Sequence, residues 1–236
     1  MTSHVDRSFD HLFQARTGLP WWPWVGAQFR ASAVRTMIVG ESVYVWTDKD
    51  PAAFARRYAS VEGLRETHAR HAMNVERNAR FVRNIERAIF AAKRPAPELK
   101  TRLWQSVVYH NLVLRPMASP QHRPSEADYR AGWIEVLALC RLLGIEQCLV
   151  YGLESSKLRA LKDVLREHGS AFEQDDRPAR IGAVRPHAGS IGLDDRRIRM
   201  LFVRHPSAFF SWRAWAPLIE DRLSLRGALA APIRIE

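Results

Sequence analysis

Apolar residues along this chain gather into short continuous runs rather than alternating with polar ones, and four of the runs have the length and β-branched content of buried strands. They are VRTMIV at 34–39, which ends at Gly40, VVYH at 107–110, QCLVY at 147–151 and RMLFV at 199–203. Between them the apolar period lengthens to that of a helix. In NVERNARFVRNIERAIFAAK, from Asn74, the residues Phe81, Ile85, Ala88 and Ile89 recur at helical spacing. A second helix is predicted after Pro124, with Ser125 as its N-cap and Asp128 at the third helical position. Its apolar stripe is Trp133, Val136, Leu137, Cys140 and Leu143, and it stops before Gly144. Strands apolar on both faces and alternating with helices imply a parallel sheet covered on both sides. The expected fold is α/β: one domain over residues 1–236, three-layer α/β/α, with a central four-stranded parallel sheet.

Three segments fall outside this alternation. Residues 1–33 read as a helical, Trp-rich segment packing on the domain. Within it LPWWPWVG at 19–26 has prolines that break regular structure and three tryptophans that need apolar cover, which places it against the sheet edge. Residues 175–197, DDRPARIGAVRPHAGSIGLDDRR, read as a long, mobile surface insertion. Residues 208–220, AFFSWRAWAPLIE, admit two readings: a terminal helix packing Phe209, Trp212 and Trp215 on the sheet, or a loop that spends an aromatic on a partner.

Composition narrows the partner and the chemistry. The formal charge is +11 and Arg outnumbers Lys heavily, so a polyanion is the natural partner; a GC-rich genome would produce the Arg preference but not the net charge. Two cysteines, Cys140 and Cys148, are too few for a four-thiolate cluster or a zinc ribbon and read as inert core thiols. No run approaches the ~20 apolar residues of a membrane span, and the first ten residues lack a secretory pattern, so a soluble, cytoplasmic protein is expected. GLESSK lacks P-loop spacing and Gly40-Glu41 is not a dinucleotide fingerprint, so no cofactor is expected.

In open α/β sheets ligands gather at the carboxyl ends of the strands. The segments there are GESVY, HNLVLRPMASPQHRP, GLESSK and HPSAFFSW. A strand ending in Gly40-Glu41, a strand ending in His110-Asn111 and continuing to Arg115-Pro116, then Arg123-Pro124-Ser125 before a helix, and finally a strand ending in His205-Pro206-Ser207, resembles the uracil-DNA glycosylase superfamily. The likeness runs from about Val34 to Trp215 and points to a divergent branch without an iron-sulfur cluster.

That resemblance implies a base flipped from DNA into a pocket at the strand ends and cleaved from its sugar by water, without metal, by a monomer acting on DNA that contains uracil or another damaged base. His205 takes the place of the histidine that stabilises charge on the departing base. Asn111 takes that of the asparagine whose carboxamide reads uracil. Glu41 is the preferred water-positioning group, with Ser42, Asp48 and Asp50 behind it, because Ser42 stands where relatives carry Asp or Asn and Val43 where they carry Pro. Gly40 and Tyr44 belong to the base site by the same likeness, Tyr44 excluding a thymine methyl. The ring that stacks on the base has no clean match; His71 and Met73 are the nearest candidates. Phe209 or Phe210 would fill the gap left by the flipped base, and Arg115, Arg123, Arg204, Ser207 and Arg213, with His122, would approach the backbone. For each residue a plainer alternative stands: cap, turn, core ring or solvated basic loop. Two rival functions stand as well, excision of hypoxanthine or xanthine, and damage sensing without turnover.

Overall fold

The computed structural model describes residues 4–45, 51–74, 79–119, 121–176 and 178–229. Nine strands are present among them: β1 (Trp24–Val25), β2 (Thr36–Gly40), β3 (Val43–Tyr44), β4 (Val108–Asn111), β5 (Pro116–Met117), β6 (Gln147–Tyr151), β7 (Phe172–Gln174), β8 (His187–Leu193) and β9 (Arg196–Val203). Seven form one sheet in the order β1-β4-β2-β6-β9-β8-β7, and β3 pairs with β5 apart from it. The helices are α1 (Asp10–Gln14), α2 (Pro51–Tyr58), α3 (Gly63–His68), α4 (Arg80–Phe90), α5 (Pro97–Ser106), α6 (Glu126–Leu143), α7 (Ser155–Glu167), α8 (Trp212–Arg222) and α9 (Leu225–Ala228).

The four apolar runs are the sheet centre, β4-β2-β6-β9, all mutually parallel. Successive side chains of these strands leave on opposite faces. Met37, Val39, Cys148, Val150, Met200 and Phe202 join α6 and α7 in one core, while Ile38, Leu149, Leu201 and Val203 join α4, α5 and α8 in the other. Both faces are therefore covered, which is why the strands read as unbroken apolar runs rather than alternations. Helix α6 is fixed at its start by a reciprocal cap in which Ser125 Oγ accepts from the Asp128 N–H and the Asp128 carboxylate accepts from the Ser125 N–H. It ends where Gly144 turns left-handed at φ 65°.

The sheet is mixed and seven-stranded, not four-stranded and parallel. Trp24 and Val25 add an antiparallel edge strand against Tyr109 and Val108, so the tryptophan segment does pack at the sheet edge. At the other edge, β8 lies inside the stretch expected to be a mobile insertion. It pairs along its whole length with β9, which begins at Arg196 rather than 199, and then with β7. Gly189 and Gly192 hide this strand from a propensity reading, yet at Gly189 a β-carbon would sit 2.3 Å from the Glu173 carbonyl oxygen, so the close approach of β7 requires glycine. The helix expected from Asn74 is described from Arg80. Helix α8 starts only at Trp212, leaving Phe209 outside it and not packed on the sheet. Cys140 and Cys148 are buried with their sulfurs 3.9 Å apart.

Candidate active site

The parallel register aligns the carboxyl ends of the central strands: Gly40 lies opposite Asn111, and Tyr151 opposite Val203. Asn111 and Gly40 meet closely there. A β-carbon on residue 40 would stand 2.3 Å from Asn111 Oδ1 and 2.4 Å from the Tyr109 hydroxyl, so glycine is what lets these two groups meet over the strand end. Tyr109 donates to Asn111 Oδ1 at 2.8 Å, and burial raises the Tyr109 pKa, which keeps the phenol a donor. The contact orients the carboxamide, leaving its N–H₂ and the second lone pair of Oδ1 for a ligand.

Asn111 lines an apolar cavity of about 330 Å³ together with rings from Tyr44, Phe54, Tyr58, Phe81, Tyr109 and Tyr151. His71 lines it too and meets Phe81 edge-on at 5.6 Å, so of the two stacking candidates His71 belongs to the cavity. Met73 does not line it; this side chain ends the irregular helical turn after α3 and packs partly buried on the core below. His68 stacks on Tyr109 at 4.1 Å, and both of its ring nitrogens and the Tyr151 hydroxyl are buried without a hydrogen-bond partner. Phe54, Tyr58, His68, Tyr109 and Tyr151 were not foreseen as site residues, and only the last two lie on strands whose ends were.

On the cavity wall Glu41 is buried against two cations. Its Oε1 accepts from Lys157 Nζ at 2.9 Å and from the Tyr129 hydroxyl at 3.3 Å, and Arg123 lies 3.3 Å from each oxygen. Burial pushes the Glu41 carboxyl up; Lys157 leads an opposing pull that is larger, so the group lies below the ordinary carboxylate range and is ionised at neutral pH. Ser42 is half-buried, with its hydroxyl oxygen buried beside the Tyr44 phenol, and lines the cavity. Asp48 and Asp50 lie outside the described residues.

His205 follows β9 and also lines the cavity. The Ser207 backbone N–H donates to its Nδ1 at 3.2 Å and the Ser207 hydroxyl lies 2.8 Å from the same nitrogen. A nitrogen that accepts carries no proton, so in the neutral ring Nε2 is the donor. Burial lowers the His205 pKa below 6.5, with Glu41 acting against it, and the ring is neutral at pH 7.

Outside the cavity a more open groove of about 600 Å³ shares Glu41, Tyr44, His205 and Ser207 with it and is bordered by Arg123, Arg204, Glu154 and Phe209. The four shared residues form a neck between an apolar chamber and a trough that carries charged side chains at its border. At the trough's rim Phe209 is 83% exposed, its backbone left-handed at φ 49°, with the Arg204 guanidinium 5.2 Å above its ring. Phe210 is withdrawn, stacked on Trp215 at 5.6 Å.

The other basic candidates are dispersed. Arg115 makes a two-pronged pair with Asp128, at 2.6 and 2.8 Å, which brings the Asp128 pKa down to about 2. It thus ties the β4–β5 turn to the start of α6 while about half of its side chain stays exposed. Arg213 stacks over Trp212 at 4.5 Å on α8 and borders a separate surface hollow with Glu220. His122 is exposed beside Ser119.

Among the described residues no cluster of three or more His, Cys, Asp or Glu is arranged to hold a metal ion, and no helix is long and apolar enough to cross a membrane. Neither a protein-family model nor a curated protein sequence matches this chain.

Proposed function

We propose that this protein is a monofunctional DNA glycosylase that removes uracil, with water as nucleophile and no cofactor. The observation that carries the reading is the neck: Glu41, Tyr44, His205 and Ser207 stand between a chamber of base-like dimensions lined by aromatic rings and a trough bordered by Arg123 and Arg204. A nucleotide threaded through it has its base in the chamber, its sugar at the neck and its phosphates in the trough. As the C1′–N1 bond lengthens its electron pair moves onto the base, where the His205 Nε2–H meets the growing charge on O2. Positive charge appears on the sugar beside the Glu41 carboxylate. Water adds its oxygen to C1′, its proton neutralises the departing base, and an abasic site remains.

Uracil and cytosine differ in the acceptor at C4 and the proton on N3, and the free half of the Asn111 carboxamide offers a donor and an acceptor on one rigid group. Phe209 is the proposed wedge, since it is the exposed member of the pair. Phe209→Ala is expected to slow excision from duplex by about tenfold or more, the equivalent of roughly 1–3 kcal/mol for one base–aromatic stack, and to leave single-stranded substrate nearly unaffected. Equal losses on the two substrates would remove Phe209 from this role.

A second reading is excision of a bicyclic base such as hypoxanthine. It is allowed by the chamber's volume of about 330 Å³, which admits a second fused ring as well as a single one. Incubation at catalytic protein concentration with matched oligonucleotides carrying uracil, hypoxanthine or xanthine, followed by alkaline cleavage at abasic sites, tests both. Abasic product from the uracil strand supports the first reading and product from a purine strand alone supports the second. Binding to all three without product would replace catalysis by damage sensing.

A further inference from the structure

We propose that Lys157 is a positioning residue for the reaction, the fixed counter-ion that holds the Glu41 carboxylate in one place at the neck. The inference rests on the reading of Glu41 as the carboxylate that faces the sugar. Lys157 lies in the first turn of α7, in a stretch whose other basic residues, Arg159, Lys162 and Arg166, belong to an ordinary amphipathic surface; Lys157 alone is fully buried. Its ammonium donates to Glu41 Oε1 at 2.9 Å and to the Tyr151 carbonyl oxygen at 2.6 Å, and it is ion-paired with the Glu154 carboxylate, whose Oε2 lies 2.9 Å away without hydrogen-bond geometry. The Tyr129 ring lies 5.3 Å away on a further side. A tetrahedral ammonium so surrounded has no freedom to follow a ligand.

The backbone is shaped for this arrangement. Gly152, at φ +94°, carries the chain from β6 toward α7, and a β-carbon there would stand 2.1 Å from Lys157 Nζ and 2.3 Å from Glu154 Oε2. Glycine is required both by the dihedral angle and by the space that the ion pair fills. Arg123 differs from Lys157 in kind: half of its side chain is exposed, it bridges Glu41 and Glu154 from the trough side, and a phosphate in the trough would compete for it. Lys157, being sealed in, is the cation that stays when DNA arrives.

The consequence can be read in the pH profile. The groups facing Glu41 are Lys157 on α7 and Glu154 before it, Arg123 ahead of α6, Tyr129 on α6, Tyr44 on β3 and His205 after β9. Burial favours the neutral acid, and Lys157 is the strongest opposing influence. Without the ammonium the carboxyl titrates higher, and the acid limb of the rate moves up in pH.

Single-turnover rates on a uracil oligonucleotide from pH 3 to 9, for wild type, Lys157→Met, Lys157→Arg and Glu41→Gln, test this, with thermal unfolding at each pH as a check on folding. Lys157→Met is expected to shift the acid limb upward by about one pH unit or more, so that its deficit against wild type is about tenfold greater on the acid side than at pH 8. A folded Lys157→Met with the wild-type profile would overturn the proposal. If Lys157→Met does not fold, Lys157→Arg carries the test: the charge is kept, so the acid limb stays, while the displaced carboxylate lowers the rate, and an unchanged rate would overturn positioning. A wild type without activity, or a fully active Glu41→Gln, would instead overturn the functional reading on which the inference rests.

Discussion

His205→Ala should lower the single-turnover rate of uracil excision by about 10²- to 10³-fold, the loss typical when one donor to a developing anion is removed. DNA affinity should hardly move. The imidazole is held by two contacts to Nδ1 from a residue two positions on, so Nε2 bears the proton whatever occupies the cavity. A donor of this sort stabilises the departing base more than the bound one, because the negative charge on O2 exists only once the glycosidic bond has stretched. Burial keeps the ring neutral, so wild-type activity should not titrate at the ordinary histidine value of 6.5. Quench-flow rates for wild type and mutant, paired with anisotropy titrations on the same oligonucleotide, separate the two effects. A folded His205→Ala with a normal rate would leave the departing base without its donor and end this mechanism.

Glu41→Gln should reduce the rate by about 10³-fold, within the 10²–10⁴ range of positioned acid–base groups, with much less effect on binding. The carboxylate is ionised at neutral pH, and a charge beside the sugar assists both the oxocarbenium-like sugar and the approach of water. The substitution keeps size and one acceptor, but it turns the other oxygen into a donor facing Arg123 and leaves Lys157 with one fewer anion in a buried place, a change that can cost about 3–5 kcal/mol of stability. Unfolding curves must therefore accompany the rates. The double variant Glu41→Gln with Lys157→Met, neutral on both sides, should recover stability and remain inactive. Ser42→Ala is expected to cost less than about tenfold, since a hydroxyl supplies no negative charge at neutral pH. The reverse order of the two mutants would move water positioning from Glu41 to Ser42.

The parts of the fold readable from sequence were those in which local and tertiary demands agree. Strands covered on both faces must be apolar throughout, and α6 carries its own cap and its own stop, so neither needed knowledge of distant contacts. Strand β8 was missed because Gly189, which lowers its strand propensity, answers to the close backbone of β7, which lies elsewhere in the sequence. At the site, Glu41, Asn111 and His205 could be found because each ends or follows a legible strand. Lys157 could not, because in SSKLRALKDVLRE nothing distinguishes it from its solvated neighbours; its burial is decided by the bend at Gly152 and by Glu41, 116 positions earlier. Phe54, Tyr58 and His68 come from helices whose relation to the strand ends only the packing reveals. The pair Phe209 and Phe210 posed the opposite difficulty: the sequence identified both rings but not which one the stack on Trp215 would retire.

Phe209 also bears on how durable the molecule is when idle. A residue with a β-carbon held at φ 49° gives up roughly 1–2 kcal/mol relative to ordinary backbone, a cost glycine would not incur, and an exposed ring recovers little of it in water. The free protein is therefore less stable at this loop than its own sequence neighbourhood allows. Selection for heat resistance alone, applied to a library covering residues 207–211, should enrich glycine at position 209, and the thermostable survivors should be the ones that have lost their hold on duplex substrate.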